Sequence, residues 1–196
     1  MNIVCLLGSP RMKGNSSTIA KHFCDMAEKL GAQVRTFALN EIRYRGCQGC
    51  MACKTKLDRC ALKDDLTEVL EAVRETDVLV LASPVYCGEV SSQLKGFIDR
   101  TFSYLVPDFI TNPKPSRLAP GKTFIFIQAQ EDPDEKSFAD IFPRYEFSFK
   151  WYGFDESHLI RACGVGEAGD VEGRGEVLML AEETAGRLFD GKLGRQ

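Results

Sequence analysis

NIVCLLGSPRMKGNSST spans Asn2–Thr18, and it has the pattern of a buried strand, a glycine turn and the start of a helix. The run Asn2–Leu7 is apolar without alternation, which is typical of a parallel strand covered on both faces. From Ser16 to Leu30, apolar residues then recur at a helical spacing. A strand that leads directly into a helix is the first half of a βαβ unit, so this stretch predicts a parallel α/β fold.

The same alternation continues along the rest of the chain. The further predicted strands are Gln33–Leu39, Asp77–Ala82, Thr123–Ile127 and His158–Cys163, and the helices between and after them are Leu66–Arg74, Ser91–Tyr104, Lys136–Tyr152 and Glu176–Phe189. Strands joined in this way form a parallel sheet through right-handed crossovers. Five strands in 196 residues predict one flavodoxin-like domain over residues 1–196, a three-layer α/β sandwich with strand order 2-1-3-4-5.

Composition and charge limit the possible functions. Hydrophobic residues make up 44% and charged residues 27% of the chain, as in ordinary globular proteins. The net charge of −3 argues against general nucleic-acid binding. The first apolar run is too short for a signal peptide, and no stretch approaches the roughly 20 apolar residues of a membrane span. We therefore expect a cytoplasmic protein, in which clustered cysteines are more often ligands or redox groups than disulfides.

The loop after the first strand has the character of an anion site. In an open α/β sheet, ligands bind beyond the carboxyl ends of the strands, beside strands 1 and 3. Gly8 and Gly14 allow close approach of the backbone, and Asn15 or Ser16 is the expected N-cap of the helix. Free N–H groups and the positive end of the helix dipole favour an anion there. The loop has neither the G-K-S/T ending of a Walker A motif nor the G-x-G-x-x-G pattern, so an NTPase or a Rossmann dinucleotide site is not favoured.

The loop SPVYCG, residues 83–88, supplies a second wall. Pro84 fixes the direction of the chain and Gly88 permits close approach, while the intervening N–H groups are suited to the polar edge of a flat heterocycle. Tyr86 either stacks on that ring or packs against the protein. A phosphate site and this wall on neighbouring strand ends fit a mononucleotide better than either does alone.

A cysteine-rich loop, residues 43–63, contains CQGCMACKTKLDRC with the spacing C-x2-C-x2-C-x6-C. Four thiolates in this arrangement suit a 4Fe-4S cluster. Tetrahedral zinc also takes four ligands, but usually from two separated C-x2-C pairs. An iron–sulfur centre is therefore favoured, while zinc and metal-free thiols or a disulfide remain open. The candidate metal ligands are Cys47, Cys50, Cys53 and Cys60.

Six basic residues against two acids lie between Glu41 and Lys63. They would stabilise an anionic centre, and they would equally lower the pKa of free thiols. The cysteines outside the loop have simpler interpretations. Cys5, Cys24 and Cys163 fall in predicted strands or helices and are expected to be buried apolar residues.

Four motifs carry a family resemblance. In chain order they are GSPRMKGNSST after the first strand, the cysteine motif followed by DDL, SPVYCGEVSSQLKGFIDR after the third strand, and LAPGK before the fourth. Together they resemble the NAD(P)H-dependent FMN reductase group of the flavodoxin-like superfamily. The cysteine spacing resembles that of its iron–sulfur flavoprotein branch. The resemblance covers about residues 2–130.

This resemblance implies FMN as cofactor. The residues that it places around the phosphate and ribityl chain are Ser9, Arg11, Asn15, Ser16, Ser17 and Thr18. Those that it places along the isoalloxazine are Pro84, Val85, Tyr86, Cys87 and Gly88, with Cys87 expected to pack rather than to react. Relatives often have a small glycine-containing turn after the fourth strand, where this chain has QAQEDPDE with Gln128 and Gln130. The cysteine loop is expected near the same edge of the sheet, beside the flavin of this subunit or of a neighbour.

The resemblance also implies an activity. FMN takes two electrons together and releases them singly, so it can couple NAD(P)H or ferredoxin to a 4Fe-4S cluster and to a small-molecule, flavin or quinone acceptor. We expect no catalytic side chain apart from the flavin, a homodimer or homotetramer as in relatives, and neither nucleic-acid nor membrane partners. The alternatives are a cluster-free NAD(P)H:FMN or quinone reductase whose cysteines are thiols, and a zinc-stabilised redox-sensing or binding module.

Overall fold

Five parallel strands form the centre of the computed structural model, which describes residues 1–193 and the side chains of residues 1–190. These five are β1 (Asn2–Leu7), β2 (Gln33–Ala38), β3 (Val78–Tyr86), β5 (Lys122–Ala129) and β6 (Phe154–Ala162), and a short antiparallel strand, β4 (Glu89–Val90), follows β3. The helices are α1 (Asn15–Lys29), α2 (Ala52–Thr55), α3 (Leu66–Glu75), α4 (Ser92–Arg100), α5 (Ile141–Trp151) and α6 (Gly175–Leu193), and 3-10 helices cover Thr101–Tyr104 and Asp170–Gly173.

The sheet order is β2-β1-β3-β5-β6, with every neighbouring pair parallel. This confirms the predicted order 2-1-3-4-5, since β4 lies off the path and pairs only with β3. The register aligns Leu7 with Ala38 on one side and with Ala82 on the other. The carboxyl ends of the strands therefore share one edge of the sheet, which is where ligands bind in such folds.

Two core layers cover the sheet, as expected for a parallel sheet buried on both faces. Alternate residues of β1, β3 and β5 pack against α3, α4 and α5 on one face, and the intervening residues pack against α1 and α6 on the other. Leu6, Leu81 and Phe126 represent the first set, and Cys5 and Ile125 the second, all fully buried. Each large apolar side chain buried in this way contributes about 1.5–3 kcal/mol.

The end of β3 differs from the predicted loop SPVYCG. The strand continues to Tyr86 and then reverses through Cys87 and Gly88 into β4. Both turn residues have positive φ, 50° and 78°, which is the conformation of a two-residue type I′ hairpin turn. A strand and a tight hairpin therefore form this wall in place of an irregular loop.

Two helices are also shorter than their patterns indicated. The predicted helix at 136–152 begins only at Ile141, because Phe138 has a φ of 58° and interrupts the helical path. Helix α4 ends at Arg100, and the chain continues as a 3-10 helix to Tyr104. Within residues 1–193, none of the helices combines the length and the apolar character that crossing a membrane requires.

Candidate functional site

A cavity of about 160 Å³ opens beyond the carboxyl ends of β1, β3 and β5, and we call it the strand-end cavity. Its lining residues are Ser9, Arg11, Gly14, Asn15, Ser16, Pro84, Val85, Tyr86, Ala129, Glu131, Val165 and Gly166. Seven of these were predicted from the sequence as cofactor residues. The structure thus brings together side chains from both predicted walls, at the place where the fold leads one to expect a ligand.

Helix α1 begins at this cavity without a side-chain cap. The N-cap is Gly14 and not Asn15 or Ser16, because both of those residues already lie within the helix. A Cβ atom at Gly14 would lie 2.8 Å from Ser9 Oγ and 3.0 Å from the Arg11 carbonyl oxygen, so only glycine fits the turn. An uncapped helix start leaves its first N–H groups available to a ligand.

The Ser16 side chain is the clearest sign that something binds here. Ser16 is 1% exposed, and its Oγ has no hydrogen-bond partner within the described part of the chain. An unsatisfied buried hydroxyl costs about 1–3 kcal/mol. A phosphate in the strand-end cavity would supply the missing acceptor, so the residues present fit the anionic end of FMN.

Asn15 and Arg11 have structural partners that the sequence did not reveal. The Asn15 Nδ2 donates to the Glu167 carbonyl oxygen at 2.8 Å, and its Oδ1 accepts from the Val171 backbone N–H at 3.2 Å. The Arg11 Nη1 donates to the Gly166 carbonyl oxygen at 3.2 Å. These bonds tie the segment after β6 to the start of α1.

That segment forms a wall that sequence reasoning missed. Val165 and Gly166 line the cavity, although they follow the strand farthest along the chain. A Cβ atom at Gly166 would come within 2.9 Å of the Glu131 Cγ, so glycine lets the two loops meet. The only sequence signal was the glycine-rich run at 164–175.

Ser17 and Thr18 belong to the helix start but not to the cavity wall. The Ser17 Oγ lies 3.5 Å from the Arg11 carbonyl oxygen, at the upper limit of a hydrogen bond. The Thr18 N–H donates to the Gly14 carbonyl oxygen at 2.9 Å. Their predicted contact with a phosphate stays a prediction.

The end of β3 supplies the second wall through Pro84, Val85 and Tyr86. Tyr86 is 43% exposed, so one side of its ring is open to a ligand or to solvent. Cys87 and Gly88 lie in the hairpin turn and do not line the cavity. Their predicted place along the flavin is untested.

The end of β5 lines the cavity with Ala129 and Glu131 rather than with the predicted residues Gln128 and Gln130. Side chains alternate across a strand, so the two glutamines face the other way. They are 2% and 1% exposed and hydrogen-bond to each other at 3.0 Å. The Arg161 Nη2 donates to the Gln130 Oε1 at 2.6 Å, so this pair holds the loop after β5 in place.

A second cavity, of about 190 Å³, lies under the cysteine-rich loop, and we call it the cysteine cavity. All four candidate ligands line it, together with residues at the end of α4 and in the following 3-10 helix. Cys47 and Cys50 are exposed, while Cys53 and Cys60 are partly buried. Within residues 1–193, no three Cys, His, Asp or Glu side chains are arranged to hold a metal ion.

The loop over this cavity is fixed at both ends by the DDL motif. Asp64 accepts from the Arg100 Nη1 through both carboxylate oxygens at 2.7 Å. Arg100, which is 1% exposed, also donates to the carbonyl oxygens of Arg45 and Leu62 at 3.2 Å. Asp65 accepts from the Arg43 backbone N–H at 2.8 Å. One buried arginine therefore ties the entry and the exit of the loop together.

Two further cations hold backbone carbonyls rather than thiols. The Lys54 Nζ donates to the carbonyl oxygens of Phe102 and Leu105 at 2.5 and 2.6 Å, and burial lowers its pKa. The Arg117 Nη2 donates to the Cys53 carbonyl oxygen at 3.0 Å.

Burial raises the pKa of the Cys53 thiol, and the cysteines at 50 and 60 raise it further. The positive charge of Lys54 lowers this pKa, but only in part. The expected lowering of the thiol pKa by a nearby cation is therefore present at Cys53, but burial outweighs it.

The backbone of the loop is left-handed at two positions, Gly49 with φ 60° and Met51 with φ 56°. Met51 directly precedes the short helix α2, so a left-handed residue is followed by right-handed ones. Such alternation turns successive N–H groups toward one concave side, an arrangement that occurs at many phosphate and iron–sulfur sites. A non-glycine residue in this conformation is uncommon and is typical of functional loops.

The two cavities have no lining residue in common. The sequence placed the cysteine loop near the strand ends. In the structure its cavity is walled by the end of α4 and by Phe102 and Ser103. Phe102 packs against the core on the α3 side of the sheet. The expected place of the loop beside the flavin of this subunit or of a neighbour stays a prediction.

Residues 1–132 match the family model described as NADPH-dependent FMN reductase. The chain belongs to the NADPH-dependent FMN reductase family. Several curated relatives are named iron–sulfur flavoproteins. An iron–sulfur flavoprotein of Archaeoglobus fulgidus is 38% identical over 104 residues, which are 53% of this chain and 47% of the relative. One of Methanocaldococcus jannaschii is 34% identical over 101 residues, which are 52% of each chain. The chain thus spans about half the length of the curated relatives it matches.

Solved structures confirm the flavodoxin-like fold of this FMN reductase family member. An NAD(P)H:quinone oxidoreductase from Methanothermobacter marburgensis superposes with a TM-score of 0.75 over 96% of both chains at 18% identity. An FMN-dependent NADH-azoreductase from Bacillus anthracis, solved with FMN, gives a TM-score of 0.72 over 95% of this chain and 98% of the other at 16% identity. At these identities the likeness concerns the fold alone.

Proposed function

We propose that this protein is a cytoplasmic FMN-dependent oxidoreductase that carries one 4Fe-4S cluster. It moves electrons between NAD(P)H or ferredoxin and a small-molecule, flavin or quinone acceptor. The observation that carries this proposal is the buried, unpartnered Ser16 hydroxyl in a cavity at the strand ends of a member of an FMN reductase family. FMN, when bound, supplies the exchange between two-electron and one-electron transfer.

The phosphate of FMN would be held at the start of α1. Ser9 and Ser16 line the cavity there, and the helix contributes N–H groups and the positive end of its dipole. Arg11 adds a positive charge on the cavity wall, while its Nη1 keeps the neighbouring loop in place. Ser17 would act only through its backbone N–H group, since its side chain does not line the cavity. The Thr18 N–H already donates to the Gly14 carbonyl oxygen, so Thr18 would support the site through the helix.

The ring of FMN would lie along the end of β3. Pro84, Val85 and Tyr86 form this wall, and the hairpin at Cys87 and Gly88 fixes its direction. These residues orient the ring and exclude water from one of its faces. The glutamines at 128 and 130 support the loop after β5 from behind, so any contact that they make with the flavin would be indirect.

The cysteine cavity fits a cluster better than a single ion. A tetrahedral zinc ion usually takes its four ligands from two separated C-x2-C pairs, a spacing that this loop does not have. In a 4Fe-4S cluster each thiolate binds a different iron, so the four sulfurs surround a larger volume. The common cavity, the left-handed loop and the buried cations around it support this ligand set.

A cluster-free reductase with redox-active thiols is the second candidate. The exposure of Cys47 and Cys50 favours it, because exposed thiols are open to oxidation. The raised pKa of the Cys53 thiol disfavours it at that position, since reactive thiols have lowered pKa values.

The decisive experiment is anaerobic purification followed by a visible spectrum and by assays of flavin, iron, sulfide and zinc. We expect about one FMN, four irons and four sulfides per chain, as the proposed cofactors require. Flavin without iron would establish the cluster-free alternative, and zinc without flavin would establish the sensing module. A protein that takes up no FMN on reconstitution would refute the main proposal.

Substitutions then separate the two sites. Serine at Cys50 and Cys53 should abolish the iron absorbance and leave FMN binding unchanged, because those residues and the strand-end cavity share no contact surface. Serine at Cys24, which lies in α1 and lines neither cavity, is the matched control and should retain both cofactors. The proposed homodimer or homotetramer is measured in the same samples by light scattering.

A further inference from the structure

Arg100 forms part of the wall of the cysteine cavity, although its side chain has no exposure to solvent. Each of its two terminal nitrogens has at least one hydrogen-bond partner. The Nη1 donates to the Asp64 carboxylate and to a backbone carbonyl oxygen, and the Nη2 donates to the Leu62 carbonyl oxygen. The Nε is different, because within the described residues it has no hydrogen-bond partner.

An unsatisfied buried N–H of a charged group is costly, by roughly 1–3 kcal/mol or more. No acceptor among the described residues lies within hydrogen-bond distance of this nitrogen. Asp99, which also lines the cavity, is paired with the Lys95 Nζ at 2.5 Å. A cluster in the cavity would bring new acceptors to this wall, namely sulfide and thiolate sulfurs with negative charge.

We propose that the Arg100 Nε–H donates a hydrogen bond to a sulfur of the cluster held by Cys47, Cys50, Cys53 and Cys60, and thereby raises its reduction potential. The inference rests on the proposed function. Reduction adds negative charge to the cluster, so a donor at sulfur stabilises the reduced state more than the oxidised state. One side chain would then both hold the two ends of the loop together and raise the reduction potential of the cluster that the loop binds.

The test replaces Arg100 with lysine, which keeps the positive charge and a donor toward Asp64 but has no Nε–H. The matched control is Asp64→Asn, which weakens the same buried pair and leaves the Nε–H in place. Both proteins are prepared anaerobically and compared with the wild type by iron content and by a redox titration of the reduced cluster. Activity is not part of the readout.

We expect Arg100→Lys to lower the equilibrium constant for one-electron reduction about tenfold, which corresponds to about 59 mV. Asp64→Asn should leave the potential unchanged or higher, because it removes a negative charge and retains the donor. An unchanged potential in Arg100→Lys would overturn the inference, as would an equal fall in both variants, which would mark a loosened loop.

A second measurement needs no substitution and remains decisive if the lysine variant does not fold. Wild-type protein is labelled with 15N-arginine, and the reduced cluster is examined for a 15N hyperfine coupling by pulsed electron paramagnetic resonance. A coupling supports the hydrogen bond, and the variant, where it folds, should lose that coupling. Iron present without any arginine coupling would overturn the role of Arg100 alone. Wild-type protein with FMN but no iron would overturn the cluster proposal and this inference together.

Discussion

Replacing Ser16 with alanine separates the two tasks of the α1 start, which are building the fold and binding an anion. The Ser16 hydroxyl is buried and has no partner in the described structure. Its removal therefore relieves a cost of about 1–3 kcal/mol, and the free energy of unfolding of the FMN-free protein should stay the same or rise. Ser91→Ala provides the contrast. The Ser91 Oγ caps α4 and donates to the Gly8 carbonyl oxygen at 2.6 Å, so its loss should cost about 0.5–2 kcal/mol.

The same substitution should weaken FMN binding. A hydrogen bond from the hydroxyl to a charged phosphate contributes about 1.5–3 kcal/mol. Since 1.4 kcal/mol corresponds to a tenfold change in affinity, the Kd for FMN should rise roughly ten- to hundredfold. Riboflavin, which has the same ring and no phosphate, should bind to wild type and to Ser16→Ala with equal affinity.

Quenching of flavin fluorescence on titration with FMN-free protein measures all four dissociation constants. Urea unfolding of the same samples gives the free energies of unfolding. The reasoning is refuted if FMN affinity is unchanged, or if FMN and riboflavin lose affinity equally. A drop of more than about 1 kcal/mol in the FMN-free protein would show that the hydroxyl has a partner in the folded protein.

Four further substitutions test the packing and the charges. Gly8→Ala should destabilise the fold by about 1–3 kcal/mol, because the new Cβ would lie 2.8 Å from the Leu94 Cβ. Gly186→Ala, in the middle of α6 with nothing within 4 Å, should stabilise it by about 1 kcal/mol in the same urea titration. Asp64→Ala leaves its buried arginine partner uncompensated and should cost about 3–5 kcal/mol, seen as a lower Tm. Burial raises the pKa of Tyr44 from 10.0 to about 12, so only the unfolded state ionises between these values, and the free energy of unfolding should fall as pH rises from 10 to 12. Tyr44→Phe should flatten that fall, and an unchanged slope would contradict the assignment.

The three central strands β1, β3 and β5 could be predicted because each contains a short apolar run between turn residues. In β5, Phe124 and Ile125 point to opposite faces and are both fully buried, so apolar and polar residues do not alternate. Such a continuous apolar run is typical of a parallel strand that is covered on both faces. The hairpin after β3 was missed because its turn carries Cys87 in a left-handed conformation, where glycine or asparagine is the usual signal.

The site was predictable only where its residues are close in sequence. Ser9 and Ser16 lie on one loop and its helix, and local pattern was enough to group them. Val165 and Gly166 reach the same cavity through bonds from residues more than 150 positions earlier, such as the one from Asn15 to Glu167. No local pattern encodes a contact over that distance.

The basic residues around the cysteine loop have a different role in the structure from the one that their number in the sequence suggested. From the sequence, its basic residues were expected to act directly on thiolates. In the structure Lys54, which is one of them, binds carbonyl oxygens of the chain. Two arginines from outside the loop act in the same way: Arg117 binds a carbonyl oxygen, and Arg100 binds Asp64 and both ends of the loop. The cations therefore fix the backbone before any ligand arrives, and the cysteines are held around one cavity by the fold itself. The loop is therefore already ordered when the chain folds. A metal-free protein should keep the loop in place and take up a cluster without refolding around it.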